Sequence, residues 1–186
     1  MAELERRKFK LHSETGRYRR RVQKAEEWIQ EIFDRYENPC LNFSGGKDSL
    51  VLLHLVSQRC GYTEVDVYNF DNGVLEVPGN QGFVERSVQR LGGILYQRSS
   101  ENVNSREMVT EEGHGYNGFW GWYRRLSKQH GWDVRLLGIR AAESRERRGR
   151  FDSSGRSPPI NSGEEYVSAA PIHHFTTRDI WAYIVG

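Results

Sequence analysis

Apolar residues recur at steps of three and four positions in several segments, which is the spacing of an amphipathic helix. The clearest segment covers residues 17–37 and has six apolar side chains at this spacing, at Val22, Ala25, Ile29, Ile32, Phe33 and Tyr36. Asn38-Pro39 ends this helix, because the residue before a proline avoids helical backbone angles. The same spacing predicts four later helices, over residues 50–56, 83–91, 117–130 and 176–184.

Short runs rich in apolar, β-branched and aromatic residues alternate with these helices and predict strands. They cover residues 40–43, 64–70, 94–99, 133–139 and 166–172. Strands that alternate with helices form a mainly parallel sheet with helices on both faces. We therefore predict an α/β fold, a three-layer sandwich of the Rossmann type around a five-stranded sheet. Residues 145–162 have no period and are predicted to form a long mobile loop, of a length that is often functional.

The composition is that of a single folded domain and excludes several classes of protein. The chain has 186 residues, of which 37% are hydrophobic and 28% are charged. No apolar run approaches the roughly 20 residues that span a bilayer, and the first residues lack a secretory signal. The two cysteines, Cys40 and Cys60, are too few for a disulfide framework, a four-cysteine metal site or an iron–sulfur cluster. The reducing cytoplasm is therefore the expected compartment.

The net charge is only +2, but positive charge is concentrated in two segments. Residues 1–24 carry nine Lys/Arg against three Glu, and residues 140–156 carry six Arg against three acidic residues. A basic N-terminal arm could contact nucleic acid through its phosphates. A solvated helix face or a frayed terminus is the competing interpretation, and it is the more common use of charged chain ends.

A polar bend interrupts the apolar sequence between the first strand and the following helix. We call this bend, Ser44-Gly45-Gly46-Lys47-Asp48-Ser49, the glycine loop. Glycines let the backbone approach a ligand closely, and the start of the helix offers unpaired N–H groups and the positive end of a dipole. Lys47 adds a full charge, the serines add hydroxyl donors, and Asp48 could cap the helix or hold a magnesium ion beside phosphates. The bend lies at the carboxyl end of its strand, where open α/β sheets bind ligands, so we predict a phosphate site.

Three segments, in the order found in a known family, carry a resemblance. "FSGGKDSLVLLHL" resembles the pyrophosphate-binding loop of the adenine nucleotide α-hydrolase-like group, which includes the N-type ATP pyrophosphatases. "LLGIRAAESRERR" (136–148) and "API…TTRDIWAYI" (170–184) resemble segments of its sulfate-assimilation branch. The chain thus resembles the phosphoadenosine phosphosulfate (PAPS) reductase family of the PP-loop superfamily. The resemblance implies a PP-loop nucleotide-binding domain over residues 39–186 that lacks the family's C-terminal tail, after a basic arm and helix in residues 1–38.

The resemblance also implies roles for individual residues. The glycine loop would wrap the phosphates, with Lys47, Asp48 and Arg140 as catalytic residues and Asp48 as a magnesium ligand. Residues at the ends of three strands would line the rest of the nucleotide, namely Phe43, Phe70, Asp71, Gly138, Ile139 and Arg140. Guanidinium groups suit oxyanions, so three loop arginines would hold a sulfate or the phosphates of a second substrate, or else belong to a solvated loop: Arg145, Arg147 and Arg148.

The chain departs from the family pattern at two places. A PAPS reductase needs a nucleophilic thiolate in its C-terminal tail, and no cysteine follows Cys60. Free cysteines are often simply buried, so we expect Cys40 and Cys60 to be structural. The tryptophan that precedes the family's last motif is replaced by His173-His174-Phe175. A histidine pair could bind a metal ion or carry protons, and an ordinary surface or pocket role is the more common alternative.

Three functions follow from these observations. The first is an ATP pyrophosphatase that binds ATP with Mg²⁺, adenylates an acceptor and releases pyrophosphate. The second is a PAPS reductase or sulfur-transfer enzyme whose thiol comes from outside the chain. The third is a nucleotide-sensing or nucleic-acid-associated module without turnover. The expected partners are an adenine nucleotide, a protein that supplies the thiol or the acceptor, and nucleic acid through the basic arm; an oligomer is compatible with the sequence, and no membrane is expected.

Overall fold

The computed structural model describes residues 3–71, 78–99, 119–144 and 167–186. In these ranges five parallel strands form one sheet in the order β3-β2-β1-β4-β5. The strands are β1 (Pro39–Asn42), β2 (Asp66–Asp71), β3 (Ile94–Ser99), β4 (Val134–Leu137) and β5 (Val167–Ala169). The α-helices of these ranges are α1 (Glu3–Ser13), α2 (Gly16–Arg35), α3 (Lys47–His54), α4 (Asn80–Leu91), α5 (Phe119–His130) and α6 (Thr177–Val185). This arrangement confirms the predicted fold class.

Most elements lie within a few residues of their predicted bounds. The bounds of β3 are those predicted, whereas β2 begins at Asp66, two residues later than predicted, and α4 begins at Asn80, three residues earlier. A π-helical turn, Leu55–Arg59, follows α3 without a break. The helical segment after the glycine loop is therefore longer than the apolar pattern indicated.

Side chains that alternate along the strands point into two different cores, one on each face of the sheet. On one face, Leu41 and Val67 pack with buried side chains of α2, α3, α4 and α6. On the other face, Cys40 and Tyr68 pack in an aromatic cluster with Tyr123 of α5. Helices α3 and α4 connect β1 to β3 over the first face, and α5 leads into β4 over the second. The sheet is therefore wound in both directions from β1.

The first helix, α1, was not predicted from the sequence, because it lacks an apolar face that could be recognised. None of its residues is buried. It nevertheless packs against α6, where Phe9 stacks on Trp181 with ring centroids 6.3 Å apart. Residues 3–35 thus form two helices that pack on the domain, and the alternative of a frayed terminus is wrong for them.

Asp179, at the start of α6, joins α6 to both N-terminal helices. Its side chain is fully buried, and its Oδ2 accepts the Thr176 backbone N–H at 2.7 Å and Arg21 Nη1 at 2.5 Å. His12 Nε2 lies 2.7 Å from Oδ1. Burial raises the pKa of this carboxyl, but the hydrogen bonds from His12 and Thr176 and the charge of Arg21 outweigh burial, so the pKa lies below its usual value. One ionised carboxylate therefore holds three helices together.

The histidine pair after β5 has a structural position. His174 Nε2 lies 2.9 Å from the backbone oxygen of Arg21, and His173 packs edge-on against Trp28 with ring centroids 5.4 Å apart. Burial lowers the pKa of His173 and lowers the pKa of His174 to about 4. His174 is therefore neutral at physiological pH and fastens the segment after β5 to α2.

The predicted loop over residues 145–162 lies outside the described residues. Among the helices of the described ranges, none has both the length and the apolar character that crossing a membrane requires.

We expect Asp179→Asn to lower the free energy of unfolding by about 2 kcal/mol or more at pH 7, because it removes a buried charge that accepts several hydrogen bonds. The folded-state pKa of Asp179 lies below the ordinary value of 3.8. Its stabilisation is therefore complete above that value and is lost as the pH falls through the folded-state pKa. Urea unfolding at pH 7 and at pH 3 measures both effects. Asp34→Asn, at an exposed position of α2, is the control; equal stability of the two variants at pH 7 would contradict the assignment.

His174 makes a second contribution to the pH dependence of stability. Between pH 6.5 and about 4, this histidine is protonated in the unfolded chain but neutral in the folded chain. The stability is therefore complete above pH 6.5 and falls toward pH 4. The full loss is at most about 3 kcal/mol for one histidine. We expect His174→Gln to flatten this part of the stability curve, measured by urea unfolding across the range. An unchanged slope in the variant would show that folding does not lower the pKa of His174.

Candidate nucleotide-binding site

The glycine loop lies where the strand order of the sheet reverses. β1 pairs with β2 on one side and with β4 on the other. β1 leads into the glycine loop, and β4 leads into Gly138–Arg140. These two segments contain most of the predicted site residues. Because neighbouring parallel strands end at the same edge, the fold brings the two segments together. Ligands of open α/β sheets bind in the crevice at such a switch point.

The backbone of the glycine loop leaves the start of α3 open. Gly45 has φ +77°, a left-handed conformation that side chains rarely adopt. Gly46 is the N-cap of α3 and provides no side-chain cap. The first N–H groups of a helix have no acceptor within the helix, so here they remain available to an anion at the positive end of the α3 dipole.

Hydroxyl groups inside the loop fix its shape. Ser44 Oγ and Ser49 Oγ lie 3.1 Å apart, and Ser49 Oγ donates to the Gly46 carbonyl at 2.9 Å. The backbone N–H of Gly46 donates to Ser44 Oγ at 3.3 Å. The loop is therefore held in its bend by its own side chains.

Asn80 is a site residue that the sequence reasoning missed. It is the first residue of α4, and its Nδ2 donates to the Ser44 carbonyl at 3.2 Å. A Cβ atom at Gly45 would lie 2.2 Å from Asn80 Oδ1, so the amide packs directly against the loop. The order of elements contained a usable signal: α4 follows β2, the neighbour of β1, and a helix that follows a neighbouring parallel strand starts at the same edge.

Asp48 and Arg140 form a buried ion pair between the two segments. Arg140 Nη2 donates to Asp48 Oδ2 at 3.1 Å, and Arg140 Nε lies 3.0 Å from Oδ1 in an ion-pair contact without hydrogen-bond alignment. Arg140 is 3% exposed and Asp48 is 8% exposed. Lys47 Nζ donates to the same Asp48 Oδ2 at 3.2 Å and is more exposed. Arg140 Nη1 also donates to Thr177 Oγ1 of α6, at 3.2 Å.

Gly138 permits the closest backbone approach in this region. A Cβ atom there would lie 2.6 Å from Ser49 Cα and 2.7 Å from Ser49 N. Both are backbone atoms of the first turn of α3, which cannot move aside as a flexible side chain could. Only glycine therefore lets the segment after β4 lie against the start of α3, and this contact allows Arg140 to reach Asp48.

The remaining residues predicted to line a nucleotide lie near the same edge. Phe43 and Phe70 are 1% and 7% exposed and belong to the cores on opposite faces of the sheet. The Phe43 carbonyl accepts Asn69 Nδ2 at 2.7 Å. Ile139 is partly exposed, and Asp71 is the last residue of β2. The ring of Phe43 is packed in the core, so it is not available to stack on an adenine ring.

The three arginines predicted for a second substrate, Arg145, Arg147 and Arg148, lie outside the described residues.

A cavity of about 890 Å³ lies between α2, α3, α4 and α6, and its lining includes Tyr18, Leu50 and His54. No residue of the glycine loop lines it. The candidate anion site lies at the carboxyl edge of the sheet, and this cavity is a separate feature.

The described residues do not fit a metal ion held by the protein alone. No group of three or more potential metal-ligating side chains occurs in the part of the chain that the structure describes. The carboxylate of Asp48 already faces two cationic groups, those of Arg140 and Lys47. Mg²⁺ usually keeps several waters and binds through one or two carboxylates together with substrate phosphates. It would therefore come to this site with its nucleotide.

Neither cysteine has the character of a nucleophile. Cys40 is fully buried, and burial raises the pKa of its thiol well above the usual range. Burial also raises the pKa of Cys60 to about 11. Thiolates are the reactive form of cysteine, so both thiols are unreactive at neutral pH. This agrees with the expectation that they are structural.

Curated proteins similar to this chain are named as subunits of one enzyme. Sulfate adenylyltransferase subunit 2 of Mycobacterium sp. strain KMS is 28% identical over 183 residues, covering 84% of this chain and 57% of the relative. The protein of the same name from Photorhabdus laumondii is 23% identical over 185 residues, covering 84% of this chain and 59% of the relative. The chain thus spans somewhat more than half the length of these relatives.

Solved structures share the fold. The FMN adenylyltransferase of Candida glabrata, solved with ATP, superposes with a TM-score of 0.65 at 16% identity and covers 92% of this chain and 56% of that one. The NH3-dependent NAD synthetase of Campylobacter jejuni superposes with a TM-score of 0.59 at 15% identity; the match covers 89% of this chain and 71% of that one. At this level of identity the likeness concerns the arrangement of strands and helices.

The family assignment rests on the length of chain that matches. The family described as the phosphoadenosine phosphosulfate reductase domain matches residues 38–186, which include the whole sheet and both segments of the site. The match begins just before β1 and leaves α1 and α2 outside it. The chain therefore belongs to the phosphoadenosine phosphosulfate reductase domain family, as its three motifs implied.

Proposed function

We propose that the chain binds ATP as its magnesium complex at the glycine loop and transfers the adenylyl group to an acceptor, releasing pyrophosphate. The observation that carries the proposal is the uncapped start of α3, which a two-glycine bend exposes beside the ammonium group of Lys47. Backbone N–H groups, a helix dipole and one lysine together suit a polyphosphate. The β and γ phosphates would occupy this position, and the α phosphate would lie toward Gly138–Arg140.

The reaction requires little acid–base chemistry from the protein. A nucleophilic oxygen of the acceptor forms a bond to the α phosphorus, and the bond from that phosphorus to the bridging oxygen breaks. The electron pair of the broken bond leaves with pyrophosphate, and any proton of the acceptor passes to solvent. Charge therefore builds up on the leaving phosphates, where the N–H groups of α3 and Lys47 would stabilise it. Magnesium would neutralise the same phosphates as part of the substrate.

The buried Asp48–Arg140 pair would act by positioning. Asp48 accepts both Arg140 and Lys47, so it sets the direction of the lysine that faces the phosphates. Arg140 in turn is fixed by its donation to Thr177. In this proposal Lys47 and the loop N–H groups contact the nucleotide, while Asp48 and Arg140 keep them in place.

Adenylyl transfer is better supported than reduction of PAPS by the residues of this chain. Reduction needs a thiolate, and both cysteines are held as thiols. The relatives named above are adenylyltransferase subunits by name, so we propose that an oxyanion is the acceptor and that a partner protein takes part. Tighter calorimetric binding of PAPS than of ATP would favour a reductase or sulfur-transfer enzyme instead.

We expect Lys47→Ala to weaken ATP binding by about 10- to 100-fold, because it removes a charged donor worth about 1.5–3 kcal/mol. Isothermal titration calorimetry with ATP and Mg²⁺ measures the affinity, and pyrophosphate release measures turnover where an acceptor is present. Lys8→Ala is the matched control, since Lys8 is exposed on α1 and pairs only with Glu5 in the contacts described. Equal ATP affinity of the two variants, or no ATP binding by the parent chain, would overturn the proposal.

We expect Gly138→Ala to abolish detectable ATP binding, since its Cβ atom would push the segment after β4 away from the first turn of α3. Gly82→Ala is the control, because its Cβ atom would approach only the flexible end of Arg86, at 3.0 Å. Thermal melting shows whether each variant is folded. Normal ATP affinity in a folded Gly138→Ala protein would show that the contact of Gly138 with Ser49 does not shape the site.

A further inference from the structure

The N-terminal helices carry a basic surface that the proposed function does not use. We call it the basic corner and define it by six exposed side chains on α1 and on the first turns of α2: Arg6, Arg7, Lys10, Arg17, Arg19 and Arg20. Of these, Arg19 also lines the cavity between α2, α3, α4 and α6. Within the described ranges none of the six is recorded in an ion pair or side-chain hydrogen bond. By contrast, Lys8 pairs with Glu5 and Arg21 with Asp179. Among the described residues, these six charges therefore have no charged partner and are available to an external anion.

Charge is distributed unevenly between this surface and the rest of the chain. Residues 1–24 have an excess of six positive charges, from nine Lys/Arg against three Glu, whereas the whole chain has a net charge of only +2. The rest of the chain thus has a net charge of −4. A polyanion would be attracted most strongly to residues 1–24, with residues 140–156 as the second basic segment.

The basic corner is part of the folded domain. Phe9 of α1 stacks on Trp181 of α6, and Tyr18 and Val22 of α2 are buried in the main core. The buried carboxylate of Asp179 holds His12 and Arg21 at the joint between the two helices. The six cations are therefore displayed on a fixed scaffold.

The same corner lies at the edge of the sheet that carries the candidate site. α2 has 20 residues and is about 30 Å long, whereas the four residues of β1 extend about 13 Å. The backbone oxygen of Arg21 in α2 lies 2.9 Å from Nε2 of His174, which follows β5, so the first turns of the longer α2 reach the carboxyl edge of the sheet. The first turn of α6 connects the two regions, since Asp179 binds Arg21 and Thr177 binds Arg140.

The spread of the charges fits an extended ligand. α1 alone is about 16 Å long, from its 11 residues, and the six cations continue from it onto α2. A single phosphate or sulfate would contact few of them. Each strand of a nucleic acid duplex carries a phosphate about every 3.4 Å, so one strand could contact several of these cations at once.

We propose that the basic corner binds the phosphate backbone of a nucleic acid and brings it to the carboxyl edge of the sheet, beside the glycine loop. Binding is independent of base sequence, because the contacts are those of Lys and Arg with phosphates. The proposal concerns a binding surface and holds whichever acceptor the glycine-loop site uses.

Fluorescence anisotropy of labelled mixed-sequence oligonucleotides tests this surface, with single-stranded RNA, single-stranded DNA and duplex DNA as three probes. Between about 50 and 200 mM KCl, log affinity should fall linearly with log salt concentration, with a slope near −4 for duplex DNA if four to five cations engage. We expect Arg17→Glu/Arg20→Glu to weaken binding at low salt by at least tenfold and to reduce the slope by about 2. The three probes show whether RNA or DNA is preferred.

Arg86→Glu/Arg124→Glu is the matched control, because it makes the same change in net charge at exposed positions of α4 and α5. The proposal is overturned if the parent chain binds none of the probes at low salt, or if both double variants lose affinity equally. It is also overturned if the chain binds vesicles of phosphatidylcholine and phosphatidylserine but no oligonucleotide, since Leu4 and Leu11 are 65% and 58% exposed on α1 and could enter a lipid surface.

ATP calorimetry separates this proposal from the proposed function. The Arg17→Glu/Arg20→Glu protein should bind ATP with the affinity of the parent chain, and the Lys47→Ala protein should bind the oligonucleotides with the affinity of the parent chain. Loss of both activities in either variant would show that one surface serves both ligands, and the separate basic corner would be wrong.

Discussion

The buried ion pair between Asp48 and Arg140 is the interaction that joins the two segments of the candidate site. It links the first turn of α3 to the segment after β4, across the point where the strand order reverses. Such a pair is a poor way to stabilise a fold, because the cost of removing both charges from water offsets most of their attraction. Its presence at the carboxyl edge instead fits a site that needs Lys47 and the loop N–H groups held in one direction, since Lys47 shares the same carboxylate.

Two small residues make this pair possible. Gly138 lies so close to Ser49 that any side chain would strike the backbone of α3, and Gly45 turns the chain through a left-handed conformation next to Asn80. The glycines thus serve different purposes: one forms the bend that a ligand would occupy, and the other sets the distance between two strand ends. The ion pair and the open helix start are consequences of those two backbone positions.

The order of strands and helices could be predicted from hydrophobic spacing, and the glycine loop from its composition, because both are local properties. The pairing of Asp48 with Arg140 could not be predicted, since the two residues are 92 positions apart. The sequence motif around each of them indicated only a contact with the nucleotide. α1 was missed because it buries no residue and is held by partly buried contacts of Phe9 and His12. For the histidine pair after β5, the ordinary role that is more common than chemistry agrees with its packing against α2.

The N-terminal helices are the part of this chain that its family does not define, since the match begins at residue 38. They are nonetheless attached close to the candidate site, at the start of α6. Asp179 accepts Arg21 and Thr176 at the start of α6, and Thr177, the next residue along that helix, accepts Arg140. The polar groups of this first turn of α6 are therefore engaged by α2 on one side and by the segment after β4 on the other. The proposed basic corner and the candidate site therefore share one structural support, so we expect a ligand on the basic corner to lie close to the candidate site.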